Sequence, residues 1–207
     1  MGVELEALLN VVRQRLGGAS DGAPDVLPPW RPPEELFVAD PEVRLALFVT
    51  RARESGATVA ILPSRAALEP AVLEFLKEQG WRTMVFAEGL RTPAYEALCA
   101  GEPAAADFGL CEAVAAAAET GSVLLAHDAG NPRSVSLLPT AVGFLVRASS
   151  IVSRLTEVLE LLAARRAALE SCVTLVRGPS RSADIGSITC FGAHGPGVVR
   201  VWVVEDE

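Results

Sequence analysis

The stretch Cys172-Val-Thr-Leu-Val-Arg177 decides the predicted fold, together with the segments after it: Gly178-Pro-Ser-Arg-Ser-Ala-Asp-Ile185, Phe191-Gly-Ala-His-Gly-Pro-Gly197 and Val198-Val-Arg-Val-Trp-Val-Val204. Residues 173–176 are apolar and mostly β-branched or leucine, which is typical of a buried central strand. Gly178 and Pro179 end that strand, and residues 198–204 return to an extended apolar pattern. The sequence therefore predicts two strands whose loops meet at one strand end.

The segment between these strands has features of an anion cradle. Ser182 can cap a short helix with Asp184 in its first turn, so the backbone amides of residues 180–183 are expected to be free to bind an anion. His194 lies among glycines and small residues that let a ligand or a backbone come close. A strand, a turn, a helix and a glycine loop also close many cores that bind nothing, so the pattern alone leaves both interpretations open.

Upstream of this region, predicted strands and helices alternate. The helices are expected over 40–56, 64–79, 110–118 (alanine-rich) and 151–169, the last being the longest, and the strands over 58–62, 82–87, 122–126 and 142–146. Several strands are apolar on both faces, which is typical of parallel strands covered by helices. The sequence predicts an α/β protein with a three-layer, mainly parallel sheet of about six strands. Ligands of such sheets bind beyond the carboxyl ends of strands, here the loops 127–133, 147–150 and 177–184.

Composition limits which domain organisation and which cellular compartment are expected. Residues 1–33 are expected to form an N-terminal helix and a Pro/Gly-rich arm, and residues 34–207 a single α/β domain. The formal charge is −8 and no block of Lys and Arg occurs, which argues against a nucleic-acid partner. Apolar stretches fall short of the ~20 residues that a membrane helix needs, and no signal-peptide pattern is visible. We expect a cytoplasmic protein without a membrane partner.

Motifs for common cofactors are missing from the sequence. The cysteines at 99, 111, 172 and 190 form no Cys-x-x-Cys pair and have no histidine at metal-ligand spacing, so reduced thiols are expected and neither zinc nor iron-sulfur ligation is predicted in this chain. The sequence also has no Gly-x-Gly-x-x-Gly after the first strand, no Walker loop and no nucleophile elbow.

Two blocks of sequence carry a family resemblance. Gly178-Pro-Ser-Arg-Ser-Ala-Asp-Ile185, followed by Gly192-Ala-His-Gly-Pro196, resembles the C-terminal signature of the LUD-domain family, in particular its lactate utilization protein C (LutC/YkgG) branch. Glu119-Thr-Gly-Ser122, Arg133 and Leu137-Leu-Pro139 are similar to the family's Glu-Thr-Gly turn, arginine and Leu-Pro step. The resemblance covers about residues 105–204 and implies the NagB/RpiA/CoA transferase-like fold. Family members often have a histidine where this chain has Val142, so no role of that histidine is carried over.

The resemblance also implies a function. It points to a component of an iron-sulfur-dependent L-lactate utilization system, which oxidises lactate to pyruvate, and to an accessory or substrate- or partner-binding role in it. Because no redox motif is visible in this chain, iron-sulfur clusters are expected in partner subunits. Whether this chain is itself catalytic stays open. The alternatives are a stand-alone enzyme or binding protein for a phosphorylated or CoA-linked metabolite, and a scaffold without a small-molecule site.

The candidate residues for binding a substrate or an anion come from the two blocks: Glu119, Thr120, Gly121, Arg133, Gly178, Ser180, Arg181, Asp184, His194 and Gly195. Partial burial would suit Glu119 to acid-base chemistry, but capping the preceding turn or pairing with an arginine is the simpler role. Arg181 could bind a carboxylate through two hydrogen bonds. His194 could exchange a proton or clamp its loop. We expect Ser180, Arg181, Asp184 and His194 to line one pocket, with Glu119 approaching it.

Overall fold

The computed structural model describes residues 37–164, 172–183 and 189–205. These residues form five α-helices: α1 (Pro41–Glu54), α2 (Leu68–Gln79), α3 (Pro93–Glu96), α4 (Arg133–Leu137) and α5 (Leu155–Ala164). They also form eleven strands: β1 (Thr58–Leu62), β2 (Met84–Phe86), β3 (Phe108–Glu112), β4 (Ala115–Ala117), β5 (Ser122–His127), β6 (Ala141–Arg147), β7 (Ile151–Val152), β8 (Cys172–Val176), β9 (Arg181–Ala183), β10 (Thr189–Phe191) and β11 (Val198–Val204). The predicted arm of residues 1–33 lies outside the described residues.

The centre of the fold is a five-stranded sheet in the order β1-β11-β6-β3-β2, in which every neighbouring pair is parallel. This confirms the predicted α/β class and the mainly parallel sheet, with five strands where about six were expected. The middle strand β6 is buried on both faces from Ala141 to Val146, as strands covered on both sides must be. β11 lies between β1 and β6, so the most C-terminal strand described occupies the interior of the sheet.

Helices cover the two faces of this sheet. On one face α1 contributes Phe48, Val49 and Ala52 to an apolar cluster with alternate residues of the strands. On the other face α2 contributes Val72, Phe75 and Leu76 to a second cluster that contains Phe108 and Trp202. The alternation of side chains along each strand divides the core into these two clusters, and the result is the predicted three-layer arrangement.

The helix ends follow the signals in the sequence. Asp40 caps α1 by accepting hydrogen bonds from the amides of Glu42 and Val43, and a proline occupies the first helical position. Gly80 ends α2 in the left-handed conformation, with a φ of 72°. Both helix boundaries agree with the prediction.

The aromatic cluster on the α2 face depends on a glycine in the middle strand. The ring of Phe75 makes edge contacts with Trp81, Phe108 and Trp202, with centroids 5.6, 5.9 and 5.7 Å away. A Cβ at Gly143 would collide with the rings of Phe108 and Trp202. Because Gly143 has no side chain, these rings have room to pack against each other.

A second sheet, in the order β7-β4-β5-β8, corrects two predictions. The alanine-rich segment 110–118 is not a helix; it contains the end of β3 and all of β4. Ala115, Ala116 and Ala117 are at most 1 % exposed, so tertiary packing has overridden the helix propensity of alanine. The strand predicted at 173–176 exists as β8, but it is not central. Among the described strands it pairs only with β5, and its Leu175 is 44 % exposed.

Two predicted helices also need correction. The helix expected over 151–169 begins at Leu155, because Ile151 and Val152 pair with β4 as β7; residues 165–169 lie outside the described part. The longest helix described is instead α1, with 14 residues. The helix predicted at Ser182 is not formed there, because Arg181–Ala183 is a strand that pairs antiparallel with β10.

None of the described helices is both long enough and apolar enough to cross a lipid bilayer.

Candidate functional site

Parts of the two family-like blocks, residues 137–139 and 192–195, line one cleft of about 730 Å³. One wall is the segment that precedes β6 and the other is the glycine-rich segment that precedes β11; the lining residues are Leu137, Leu138, Pro139, Thr140, Gly192, Ala193, His194, Gly195, Gly197 and Val198. Because both segments precede their strands, the cleft lies at the amino edge of the parallel sheet. The general rule for such sheets predicts ligands at the opposite edge.

Backbone hydrogen bonds hold the glycine-rich wall of this cleft. The amide of Ser180 donates to the carbonyl of Pro196 at 2.9 Å, and the amide of Gly192 donates to the carbonyl of Ser180 at 3.0 Å. The amide of Gly197 donates to the carbonyl of Thr140 at 3.0 Å, which joins the two walls. The amide of Ser180 is therefore not free to bind an anion, which corrects the predicted cradle at this position.

Arg181 and Gly178 contact the C-terminal end of α1. The guanidinium of Arg181 donates from Nη2 to the carbonyl oxygen of Ser55 at 2.8 Å. Gly178 has a φ of +67°, and a Cβ there would collide with the same carbonyl oxygen. Pro179 lies against Gly56. The first part of the C-terminal signature thus anchors a helix end to the segment after β8.

The Glu-Thr-Gly turn also makes structural contacts. The Oε2 of Glu119 accepts a hydrogen bond from the amide of Leu155, the first residue of α5, at 2.9 Å. Thr120 donates from its hydroxyl to the hydroxyl of Ser122 at 2.8 Å. Gly121 has a φ of +69° and lies against the backbone of Ala52, where a Cβ would not fit. Glu119 thus caps the N-terminus of α5, whereas the sequence suggested capping of the preceding turn or pairing with an arginine; an acid-base role of Glu119 stays a prediction.

The predicted site residues therefore fall into separate groups. Ser180, His194 and Gly195 lie together, since a Cβ on Gly195 would be 3.6 Å from the Cβ of Ser180. Arg181 and Glu119 are not among the described residues that line the cleft. Arg133 is exposed at the first position of α4, and Asp184 lies outside the described residues. Ligand binding by these residues stays a prediction.

The departure from the family pattern, Val142, lies inside the core. Val142 is 1 % exposed and belongs to the apolar cluster on the α1 face. It stands opposite Gly109 and Val199 in the neighbouring strands. This position does not line the cleft beside His194 among the described residues.

A charged cluster at the carboxyl edge of the sheet was missed by the sequence reasoning. Arg65, which follows β1, donates to both carboxylate oxygens of Glu112 at 3.0 Å, and Arg147 donates to Oε1 at 2.8 Å. Burial raises the pKa of Glu112, but the hydrogen bonds from Arg65 and Arg147 together outweigh it, so the net effect is a lowered pKa. Charged residues at the ends of apolar strands could have indicated this cluster from the sequence. The helix predicted over 110–118 hid the end of β3 and with it this signal.

His127 is a second residue that the motifs did not indicate. Its ring is 3 % exposed, with Nδ1 at 3.2 Å from the carbonyl oxygen of Asn131 and Nε2 at 3.0 Å from the hydroxyl of Thr174. A carbonyl can only accept, so Nδ1 carries the proton and Nε2 accepts from Thr174. His127 thereby ties the end of β5 to the loop after it and to the neighbouring strand β8.

The thiols show no arrangement for catalysis or metal binding in the described part of the chain. Cys111 is buried, and burial raises the pKa of its thiol to about 12. Cys99 is exposed and Cys172 is half-buried, and both are free thiols. Among the described residues no group of three or more His, Cys, Asp or Glu side chains could hold a metal ion.

The LUD domain family model matches residues 100–204, about half of the chain. The chain therefore belongs to the LUD-domain family. Its relatives include lactate utilization protein C from Halalkalibacterium halodurans, which is 42% identical over 104 residues, or 49% of this chain and 45% of that protein. The uncharacterized protein YkgG from Escherichia coli (strain K12) is 29% identical over 195 residues, 84% of each chain. These relatives place the chain in the lactate utilization protein C and YkgG branch.

Two further comparisons describe the extent of the similarity. Lactate utilization protein C from Bacillus subtilis (strain 168) is 36% identical over 104 residues, 49% of this chain and 43% of that protein. The chain thus spans about half the length of the curated relatives of this name that it matches. The crystal structure of a DUF162 family protein from Deinococcus radiodurans superposes with a TM-score of 0.60 at 25% sequence identity, covering 81% of this chain and 99% of that chain.

Proposed function

We propose that the protein is a cytoplasmic accessory component of an L-lactate utilization system and binds the iron-sulfur subunits of that system. The names of its relatives support a role in lactate utilization. The observation that carries the proposal is the convergence of two family-like segments, residues 137–139 and 192–195, on the cleft beside His194, although more than fifty residues separate them in the chain. In this proposal the cleft is the contact surface and the redox centres belong to the partners.

The chemistry of the cleft favours a protein partner over a small anion. Of its described lining residues only His194 can carry a charge, while Arg181 donates to Ser55 instead. Leu138 and Val198 present apolar side chains, 55 % and 37 % exposed. Apolar side chains with little charge around them are typical of the centre of a protein interface.

The test is capture of partners by a tagged copy of the protein expressed in its own host on L-lactate. We expect the wild-type protein to retain iron-containing subunits, measured as bound iron and visible absorbance after anaerobic purification. Leu138→Asp should remove most of the bound iron, because a desolvated charge at an interface centre is costly. Leu159→Asp is the matched control, since Leu159 on α5 is equally exposed at 55 %.

Three outcomes would contradict the proposal. Equal iron capture by the Leu138 and wild-type proteins would exclude the cleft as the contact surface. Normal growth of a deletion strain on L-lactate would exclude the role in lactate utilization. Strong thermal stabilisation of the isolated protein by a CoA ester, without any partner capture, would favour the alternative of a stand-alone enzyme or binding protein.

A further inference from the structure

The two outer edges of the central sheet are protected differently. β2 forms one edge, and a later segment of the chain covers it: the amide of Met84 donates to the carbonyl of Leu98 at 2.9 Å, and the amide of Ala100 donates to the carbonyl of Met84 at 3.0 Å. β1 forms the other edge, and among the described strands it pairs only with β11. The outer side of β1 therefore has no strand beside it in the described part of the chain.

The backbone groups of Val59 and Ile61 point away from the sheet. The carbonyl of Leu62 accepts a hydrogen bond from the amide of Glu205, which follows β11, at 3.1 Å, so Leu62 is bonded on the β11 side. In a parallel pair the amide and the carbonyl of one residue lie on the same side, and the side alternates along the strand, so Val59 and Ile61 face outward. The outward carbonyl of Val59 accepts from Nη2 of Arg53 at 3.1 Å. The amide of Val59 and both backbone groups of Ile61 have no hydrogen-bond partner within the described ranges.

β1 also lacks the side chains that usually protect an edge strand. Its sequence, Thr58–Leu62, contains neither a charged residue nor a proline, and the side chain of Ile61 is 49 % exposed. Natural edge strands are commonly blocked by charges, prolines or bulges, because an open apolar edge pairs readily with another chain. Two exposed charges without an ion-pair partner among the described residues stand near its ends: Arg53 at the amino end and Glu205 beside the carboxyl end.

We propose that a second copy of this chain pairs antiparallel with β1, about a two-fold axis at Ala60. In this register Val59 stands opposite the second copy's Ile61, and Ile61 stands opposite the second copy's Val59. The two outward residues of each copy then form four backbone hydrogen bonds across the axis. The carbonyl of Val59 can accept its new hydrogen bond beside that of Arg53, since a carbonyl oxygen has two lone pairs. The two central sheets become one continuous sheet, and the same surface serves both copies, as in most dimers.

The charges at the ends of β1 favour a second copy in this orientation. Antiparallel pairing brings the Arg53 end of one copy to the Glu205 end of the other, whereas parallel pairing would bring like charges together. Because the β2 edge is already covered by residues 98–100, association stops at the dimer. None of the described residues that line the cleft beside His194 belongs to β1, so this contact is separate from the proposed partner surface.

Sedimentation equilibrium of the purified full chain measures the association. We expect the wild type to sediment with twice the mass of one chain. Ile61→Lys should raise the dissociation constant of the dimer by roughly tenfold or more, because a charge on an edge strand opposes pairing. Leu175→Lys is the matched control: Leu175 is 44 % exposed on β8, which pairs only with β5 among the described strands. A far-ultraviolet circular dichroism spectrum and a melting curve check that both variants are folded.

Cysteine cross-linking tests the register, in chains that all carry Cys99→Ser because Cys99 is an exposed free thiol. Ala60 stands opposite the second copy's Ala60 as a non-hydrogen-bonded pair, with Cα atoms about 4.5 Å apart, which a disulfide can span. The two copies of Thr58 are four strand positions apart, about 14 Å, whereas a disulfide needs Cα atoms within about 7 Å. We therefore expect disulfide-linked dimers of Ala60→Cys under mild oxidation, and none of Thr58→Cys, although Thr58 is the more exposed position.

Each remaining outcome overturns the assignment. A wild-type chain that stays monomeric up to millimolar concentration would exclude the second copy, and cross-linking of its Ala60→Cys variant to another protein of the host would then assign this edge to a partner's strand. Loss of the dimer in Leu175→Lys but not in Ile61→Lys would place the contact elsewhere. Cross-linking of Thr58→Cys as readily as of Ala60→Cys would exclude the register, and masses above that of a dimer would exclude two-fold closure.

Discussion

Replacing Glu119 tests whether the Glu-Thr-Gly turn of this family is structural. In Glu119→Ala the amide of Leu155 loses its acceptor at the N-terminus of α5. Loss of a capping acceptor costs about 0.5–2 kcal/mol, and loss of a negative charge near a helix N-terminus costs ~0.3–1 kcal/mol. Because the second carboxylate at this helix end, Glu157, remains and accepts from the amide of Arg154, we expect a total of about 1–2 kcal/mol.

The assay is urea denaturation, with thermal melting as a second measure. For a chain of this length 1 kcal/mol corresponds to roughly 2–4 °C, so Glu119→Ala should lower the melting temperature by about 2–8 °C. Glu119→Gln keeps an oxygen acceptor and loses only the charge, so it should cost about 0.5 kcal/mol. The backbone amide of Glu119 donates to Ser153 at 2.9 Å in either variant, which keeps the turn in place.

Two results would refute this reasoning. A free energy of unfolding of Glu119→Ala equal to that of the wild type would show that the contact with α5 contributes nothing. Loss of growth on L-lactate in Glu119→Gln, without any change in stability, would show that the carboxylate serves chemistry and that its capping contact is secondary.

Three further predictions concern stability. Gly143→Ala should lower the free energy of unfolding, measured by urea denaturation, by ~1–3 kcal/mol because a methyl group would collide with Phe108 and Trp202. Adding Phe108→Leu to the same chain should recover part of that loss. If the double variant instead loses the sum of the two single losses, the collision is contradicted. Gly121→Ala should destabilise the protein more than Gly80→Ala, although both glycines have positive φ. A Cβ at Gly121 would meet the backbone of Ala52, whereas nothing lies within 4 Å of a Cβ at Gly80. Equal losses of unfolding free energy, of about 1–2 kcal/mol each, would mean that backbone conformation alone matters. Hydrogen bonds from the backbone of Arg82, and from the side chain and backbone of Thr83, hold the pKa of Asp107 below its ordinary value of 3.8 against a smaller opposing effect of burial. The contribution of this carboxylate to stability is therefore present above pH 3.8 and is lost as the pH falls through the lowered pKa. Asp107→Ala should flatten the loss of stability measured as the pH is lowered below 3.8, and an unchanged slope would contradict this.

Local patterns predicted most of the parallel sheet but not the second sheet. Strands such as β1, β6 and β11 combine apolar runs with clear turn residues, and the ends of α1 and α2 carry capping signals. β4 was predicted as helix because alanine favours helices, yet its three alanines pair with β5 and β7 and are at most 1 % exposed. β8 was predicted as central because an apolar run does not reveal how many neighbours the strand has.

The candidate site shows a similar limit. Neighbours in sequence, such as Ser180 and Arg181, were expected to share a pocket, but the backbone of Ser180 pairs with the glycine-rich wall of the cleft whereas the side chain of Arg181 turns to the end of α1. Arg181 binds the carbonyl of Ser55, 126 residues earlier in the chain, and no local pattern predicts such a contact. Arg147 and Glu112 were within reach of prediction, because both end strands at the edge where α/β proteins bind ligands.

The position of β11 governs when the protein can fold during its synthesis. β1 leaves the ribosome about 140 residues before β11 does, since Thr58 stands beside Arg200 in the finished sheet. Until β11 is translated, neither β1 nor the adjacent edge of β6 has its neighbour, so the nascent chain presents two open apolar edges at once. Folding of the sheet is therefore completed only after translation of β11, and until then those two edges are open to pairing with other chains.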